Sequence, residues 1–432
     1  MVFAVAAAAR LHGIDSTMSL QDSVGPYLSA VRLDGRGHAP AYGVAMLLPY
    51  MAAVTVSYTL KGACGVIAVL HAAAAPIAGL LAARRSRGSV VAAVVVGLLA
   101  AFDPGLMDTV RSGAEGYFAP VFVGLAALVP GGFAWVAFAM AVANHPLALA
   151  AAPLVCRGDT LTRSSIPGIA VGLLAISHQI AGWGDPGVAD GSATVIEALS
   201  AFWMTGGVGA AVVLVGPAMA VFHRPTRPLA LRVLVAAFAL CVAGTLGGYI
   251  RDHHLRILCI PAMACWAAAP RVALLLLGAI WLIPAGPPMP PEVHARPGTV
   301  GLVDAIGSSL VGRDGDLTVD RMWLSGGPAV EPSAVMLDLW LRGWDAHRFR
   351  ADGDKVIITA AASDVALEPG FPGTLLSSGH GYTVSVGTTE EVLEWSIGPC
   401  AIGGRPGGAW DGLSVFESDV STQAMGEWWA CE

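Results

Sequence analysis

Residues Asp15–Tyr42 read DSTMSLQDSVGPYLSAVRLDGRGHAPAY. This 28-residue polar stretch holds three Asp, two Arg and one His in a chain that is apolar almost everywhere else. A connection of this length is uncommon in a compact fold, and where it occurs it is usually functional. Its flanks decide what kind of loop it is. Met1–Gly13 before it and Ala41–Leu60 after it are apolar, so it reads as the first extracytoplasmic loop of a membrane protein.

Composition agrees. Of 432 residues, 55% are hydrophobic and 13% charged, against about 25% charged in soluble domains. Mean hydropathy is +0.66. These values predict a polytopic helical membrane protein. A net charge of -7 leaves no basic footprint, so nucleic acid is not an expected partner. None of the Cys residues forms a CxxC pair, which argues against a zinc or redox centre. Cys400 and Cys431 fall in the polar C-terminal part, where an oxidising compartment would allow a disulfide.

Taken outward from the loop, Met1–Gly13 is too short to cross about 30 Å of hydrocarbon. It also lacks the basic start and cleavage site of a signal peptide, so it reads as the end of a first transmembrane helix. Ala41–Leu60 is broken by Pro49, Tyr50 and Tyr58. Cys64–Ala83 is a full span ending at Arg84-Arg85-Ser86-Arg87, which the positive-inside rule places in the cytoplasm. Val90–Phe102 returns outward, so Asp103–Gly116 shares a side with the first loop. Tyr117–Val155 forms three shorter pieces, broken at Pro130-Gly131 and Asn144-His145-Pro146, and leads to Arg157 and Arg163. Pro167–Ile180 and Leu229–Tyr249 run out, Val195–Val221 runs in, Ile257–Ala269 returns to Arg271, and Val272–Ile283 exits. The expected total is about eleven spans. Arg251 and Arg256 break the charge rule on the outer side, and such an exception points to function.

Residues 1–284 therefore read as a transmembrane domain and 285–299 as a Pro-rich, semi-rigid linker. Residues 300–432 read as a small soluble domain, extracytoplasmic by the count of spans. A helix is expected at Ala334–Gly343 and strands at Lys355–Ala361, Tyr382–Val386 and Leu413–Phe416. The predicted fold class is an all-α polytopic membrane domain with a C-terminal α/β domain.

Three short motifs resemble a family. Gln21-Asp22-Ser23-Val24-Gly25-Pro26-Tyr27, followed by His38-Ala39-Pro40-Ala41-Tyr42, resembles the first-loop signature of GT-C glycosyltransferases of the mannosyltransferase and aminoarabinose-transferase type. That signature has an Asp-Glu pair, an aromatic soon after, and His-Pro-Pro; here Ser23 replaces the Glu and Ala39 the first Pro. Phe102-Asp103-Pro104 through Glu115-Gly116-Tyr117 resembles the family's second loop. Leu255-Arg256-Ile257-Leu258-Cys259-Ile260-Pro261 is similar to its late Arg-aromatic-Leu-Leu-Pro element, with Ile257 for the aromatic. The resemblance covers roughly residues 1–285 and implies sugar transfer from a polyprenyl-phosphate donor to an envelope glycan, lipid or protein at the outer face of the cytoplasmic membrane.

The residue types suit that chemistry. Inverting transfer needs a carboxylate to take the acceptor's hydroxyl proton, and Asp22 is the candidate. Arg256, Arg251 and His254 are candidates for the leaving lipid phosphate, with His38 and Tyr27 contributing from the first loop. Glu115 and Asp108 offer oxygen ligands to Mg²⁺ or Mn²⁺, though Ser23 in place of Glu removes one carboxylate from such a site. Each has a plainer reading. Asp22 and Asp15 suit helix caps or turns, His38 an interfacial side chain, and Arg256 a snorkelling cation. His145 and His178, lone in apolar runs, read as satisfied core histidines. Two other functions stay open: a lipid-linked sugar transporter or flippase, which would need charge inside the spans, and a non-catalytic anchor presenting the C-terminal domain.

Overall fold

A computed structural model describes residues 1–12, 14, 26–27, 30, 44–107, 118–182, 196, 200, 208–246, 252–281, 299–310, 317–325, 337–338, 341–343, 354–362, 374–379 and 382–388. The chain divides into two compact units. The first is Met1–His12, Pro40–Leu48 and Ile67–Pro290; the second is Gly13–Ala39, Pro49–Val66 and Pro291–Glu432.

The described helices of the first two-thirds are α1 (Val2–Leu11), α2 (Val44–Val56), α3 (Leu60–His71), α4 (Ala74–Arg85), α5 (Val90–Ala101), α6 (Ala119–Leu128) and α7 (Gly131–Asn144), then α8 (Ile166–Gly182), α9 (Val208–Ala220), α10 (Arg227–Leu246) and α11 (Arg271–Trp281). Sequence punctuation sets several ends. Pro130 occupies the N-cap of α7, and Pro146 opens a 3-10 helix, Pro146–Ala151, directly after His145. Among the described residues one helix, Leu60–Arg85, is long and apolar enough to cross a membrane. Its 26 residues rise about 39 Å and are interrupted only by a turn at Ala72-Ala73. The expectation of about eleven spans meets shorter helices elsewhere, such as α1, α5 and α6 of 10 to 12 residues. The span expected at Ile257–Ala269 is a continuous apolar helical run, Arg256–Ala268, in which α and 3-10 turns alternate. Pro261 lies within this run and removes a backbone donor from it.

The packing pattern supports a lipid environment. On α10, Leu229, Ala230, Val233, Ala236 and Leu240 are buried, while Leu231, Leu234, Val235, Phe238 and Val242 are exposed. A row of large apolar side chains at i, i+3, i+4, i+7 and i+11 faces outward, with smaller ones inward. Lipid accommodates that arrangement and water does not. α11 repeats it with Val272, Leu275 and Leu276. At the α4–α5 crossing a side chain on Gly79 would run into the Ala93 carbonyl, so the helices touch backbone to backbone.

One end of the first unit is basic. Arg157 donates to the Ala127 and Val129 carbonyls, and Arg84 to that of Leu128, at the C-terminus of α6. Asp159 bridges both, 2.8 Å from Arg157 and 3.3 Å from Arg84. Two turns expected in the cytoplasm thus meet, and α5 carries the chain from that end to Asp103.

In the second unit α12 (Thr299–Leu310) buries Val300 and Val303. Four strands, β1 (Leu317–Ser325), β2 (Asp354–Ala362), β3 (Thr374–Gly379) and β4 (Tyr382–Thr388), form a sheet in the order β1-β2-β4-β3. The β1–β2 pair is parallel and the others antiparallel. β2 and β4 cover the two stretches expected from sequence; α12, β1 and β3 were not expected. Leu413–Phe416 and half of Ala334–Gly343 lie outside the described residues.

Candidate functional site

Polar side chains in the first unit gather at helix ends. Arg10, in the last turn of α1, is fully buried. Its Nη1 donates to the Ala101 carbonyl at 3.0 Å and the Ala6 carbonyl at 3.3 Å, and its Nη2 to Ala100 at 3.2 Å. These bonds cap the last carbonyls of α5, which have no intrahelical partner. Arg10 Nε donates to His71 Nδ1 at 3.1 Å, and the His71 ring stands edge-on to Phe118 at 5.7 Å.

Asp103 follows α5 and is 3% exposed. Its Oδ1 accepts the Leu106 N–H at 2.8 Å, so it caps the turn that Pro104 opens. Burial pushes its carboxyl up from the ordinary range, while the Leu106 amide, Arg256, Arg10 and the Gly105 amide pull it back. A buried carboxylate therefore lies in the field of two buried guanidiniums.

Arg256 is 1% exposed, and its Nη1 donates to the Gly105 carbonyl at 2.6 Å. A Cβ on Gly105 would stand 2.8 Å from Arg256 Cζ, so only glycine allows this approach. Two residues earlier, His254 is buried against His145, with ring centroids 4.7 Å apart. His145 Nδ1 accepts the Leu147 N–H at 3.2 Å. Leu147, with Pro146, Leu149, Ala150 and Ala243, lines an apolar groove of about 410 Å³. Asn144, also fully buried, accepts the Ala119 N–H at 2.8 Å and so ties the end of α7 to the start of α6. Buried Arg256 thus follows by two residues a histidine whose ring packs on His145, next to the residues that line the apolar groove.

Of the residues singled out from sequence, Arg256 and His254 lie together here. The burial of Arg256 is not that of a snorkelling cation. Tyr27 belongs to the second unit, where its hydroxyl donates to Cys64 Sγ at 3.6 Å. Asp22, His38, Asp108, Glu115 and Arg251 lie outside the described residues. Among the described residues no group of three His, Cys, Asp or Glu could hold a metal ion. Sequence reasoning missed Arg10 and His71, and took His145 for a lone core histidine although it pairs with His254. A charged residue within an apolar segment was the available signal for Arg10.

Exposed apolar faces, buried polar helix ends and one span-length apolar helix mark a helix-rich protein of the membrane type. No protein-family model matches the chain, and no curated protein matches it. Two crystal structures of ArnT from Cupriavidus metallidurans are similar. The apo form superposes with a TM-score of 0.50 and the form bound to undecaprenyl phosphate with 0.52. Each is 12% identical, and the match covers 90% of this chain and 98% of that chain. At that identity the likeness is one of fold, and the fold is GT-C-like.

Proposed function

We propose that the chain is an integral-membrane, inverting glycosyltransferase of the cytoplasmic membrane. It moves a sugar from a polyprenyl-phosphate donor to an envelope acceptor at the outer face. The observation that carries this reading is buried Arg256 two residues along the chain from His254, whose ring packs on His145 next to the groove-lining Leu147. A polyprenyl phosphate has the same two parts, an anionic head and an apolar tail. The likeness to ArnT, solved with undecaprenyl phosphate bound, supports the choice of carrier.

In the reaction the acceptor oxygen forms a bond to the anomeric carbon as the carbon–oxygen bond to the lipid phosphate breaks. The hydroxyl proton passes to Asp22, and the bonding pair leaves on the phosphate. Arg256, aided by Arg251 and His254, is assigned to that growing charge, because a guanidinium held in a buried site needs no reorganisation to meet it. His38 and Tyr27 are assigned to the loop that carries Asp22. Glu115 and Asp108 are proposed as the oxygen ligands should a divalent cation take part, and no step above runs through it. The C-terminal domain is assigned to the outer face.

The test is transfer from a labelled polyprenyl-phosphate sugar by the purified full chain in nanodiscs. Asp22→Asn should lower turnover by roughly 10²–10⁴-fold. Unchanged turnover in Asp22→Asn removes the base assignment; a wild type that binds no polyprenyl phosphate removes the function.

A further inference from the structure

The second unit holds a buried charge cluster that this chemistry does not use. Asp338 is fully buried. Its Oδ1 accepts the Leu60 N–H at 2.7 Å and its Oδ2 accepts Arg342 Nε–H at 2.7 Å. Arg342 also donates to Asp304 of α12. Leu60 is the first residue of α3, where backbone N–H groups have no intrahelical partner. Thr59 Oγ1 accepts the Gly62 N–H at 3.0 Å, so Thr59 and Asp338 share the cap. A carboxylate there is also favoured by the helix dipole. Leu60 and Asp338 are 278 residues apart in sequence, so the C-terminal region supplies the cap of an early helix.

One turn further along the same face of α3, Cys64 Sγ accepts the Tyr27 O–H at 3.6 Å. The Tyr27 ring, 4% exposed, stands edge-on to Tyr50 of α2 with centroids 4.9 Å apart. Tyr27 lies in the Asp15–Tyr42 loop, shortly after Asp22. A side chain of the first loop is thereby wedged between α2 and the stretch of α3 that Asp338 caps.

We propose that Asp338 is a positioning residue through which the C-terminal region fixes the start of α3 and, by way of Cys64 and Tyr27, the first loop. Its effect on turnover rests on the glycosyl-transfer reading, which puts the base on that loop; the clamp itself does not. Without the carboxylate the Leu60 amide loses its acceptor, the first turns of α3 open and Tyr27 loses its seat on Cys64.

The experiment compares full-length wild type, Asp338→Ala, Asp338→Asn and Gly307→Ala in nanodiscs. Gly307→Ala keeps the carboxylate but builds a Cβ into the space of Asp338 Oδ2. Amide hydrogen exchange in residues 57–66, the rate of Cys64 labelling by a maleimide, and sugar transfer are read together. Asp338→Ala and Gly307→Ala should raise exchange and labelling at least about tenfold. Asp338→Asn, which keeps an acceptor for Leu60, should stay near wild type. Exchange in α6 and α7 should not change in any variant. Turnover should fall in step with labelling while the KM for the lipid-linked donor holds. Wild-type exchange and labelling in both Asp338→Ala and Gly307→Ala overturn the proposal, as does an Asn variant as open as the Ala variant. Opened exchange and labelling with wild-type turnover uphold the clamp and instead overturn the placing of the base on the first loop.

Discussion

Gly105→Ala tests whether the position of the Arg256 guanidinium, and not merely its charge, sets affinity for a lipid phosphate. The added Cβ would stand 2.8 Å from Arg256 Cζ and Nε and 3.0 Å from Nη1, closer than carbon contacts allow. Arg256 is 1% exposed and closely packed, so either the guanidinium or the Pro104 turn must shift. The bond at stake is the 2.6 Å contact from Nη1 to the Gly105 carbonyl. A hydrogen bond with a charged donor contributes about 1.5–3 kcal/mol. Should the same guanidinium grip the phosphate, a loss of that size weakens binding by roughly 10- to 150-fold, at about 1.4 kcal/mol per decade. The assay is titration of the full chain in nanodiscs with polyprenyl phosphate, followed by native mass spectrometry. Gly79→Ala is the control. It crowds the α4–α5 crossing against the Ala93 carbonyl and should lower stability by about 1–3 kcal/mol without touching Arg256. Wild-type affinity in Gly105→Ala, or an equal loss in Gly79→Ala, refutes the reasoning.

Two further outcomes follow from the buried charges. Arg10→Leu strands the Ala100 and Ala101 carbonyls, takes a donor from His71, and removes one of the cations whose charge reaches Asp103. Loss of a buried partner of this kind costs about 3–5 kcal/mol, so detergent-solubilised Arg10→Leu should show a clearly lower melting temperature by size-exclusion thermostability, with Arg10→Lys in between. Asp103 is held by burial above its ordinary carboxyl range, so the folded chain keeps its proton longer than the unfolded chain. Relative to Asp103→Asn, wild type should therefore match in stability below the ordinary pKa, near 4, and lose ground as pH rises through the folded value. A wild type that instead gains on the variant with rising pH reverses the assignment.

Much of the helix layout was legible because breaks in an apolar chain are few and chemically plain. Pro130 marks the start of α7, and the Asn144-His145-Pro146 run marks its junction with the following 3-10 helix. The alternation in Lys355–Ala361 and Tyr382–Val386 likewise marks β2 and β4. The apolar run at Arg256–Ala268 was legible, but its alternation of α and 3-10 turns was not, since hydropathy carries no sign of helix type. The site was legible only at Arg256 and His254, which stand out as charge near a membrane surface. His145 looks inert by itself and gains meaning from the ring of His254, brought there by tertiary packing. Asp338 gave no signal either, because its partner amide belongs to a helix 278 residues away.

The arrangement of buried polar groups bears on the choice between transfer and transport. A transport path needs ionisable side chains at successive depths along its spans. The sequence suggested spans almost free of charge, yet Arg10 and His71 are buried within apolar segments. Arg10 nevertheless stands at a helix end, as do Asp103 after α5, Asn144 closing α7 and Arg256 in a 3-10 turn, while His71 sits at the turn midway along Leu60–Arg85. Arg10 spends its bonds on three carbonyls and His71, which is how a cap behaves and not how a relay does. Buried groups fixed as helix caps suit a stationary site better than a path through the spans. A passive anchor, by contrast, has no use for a fully buried Arg256 held on the Gly105 carbonyl.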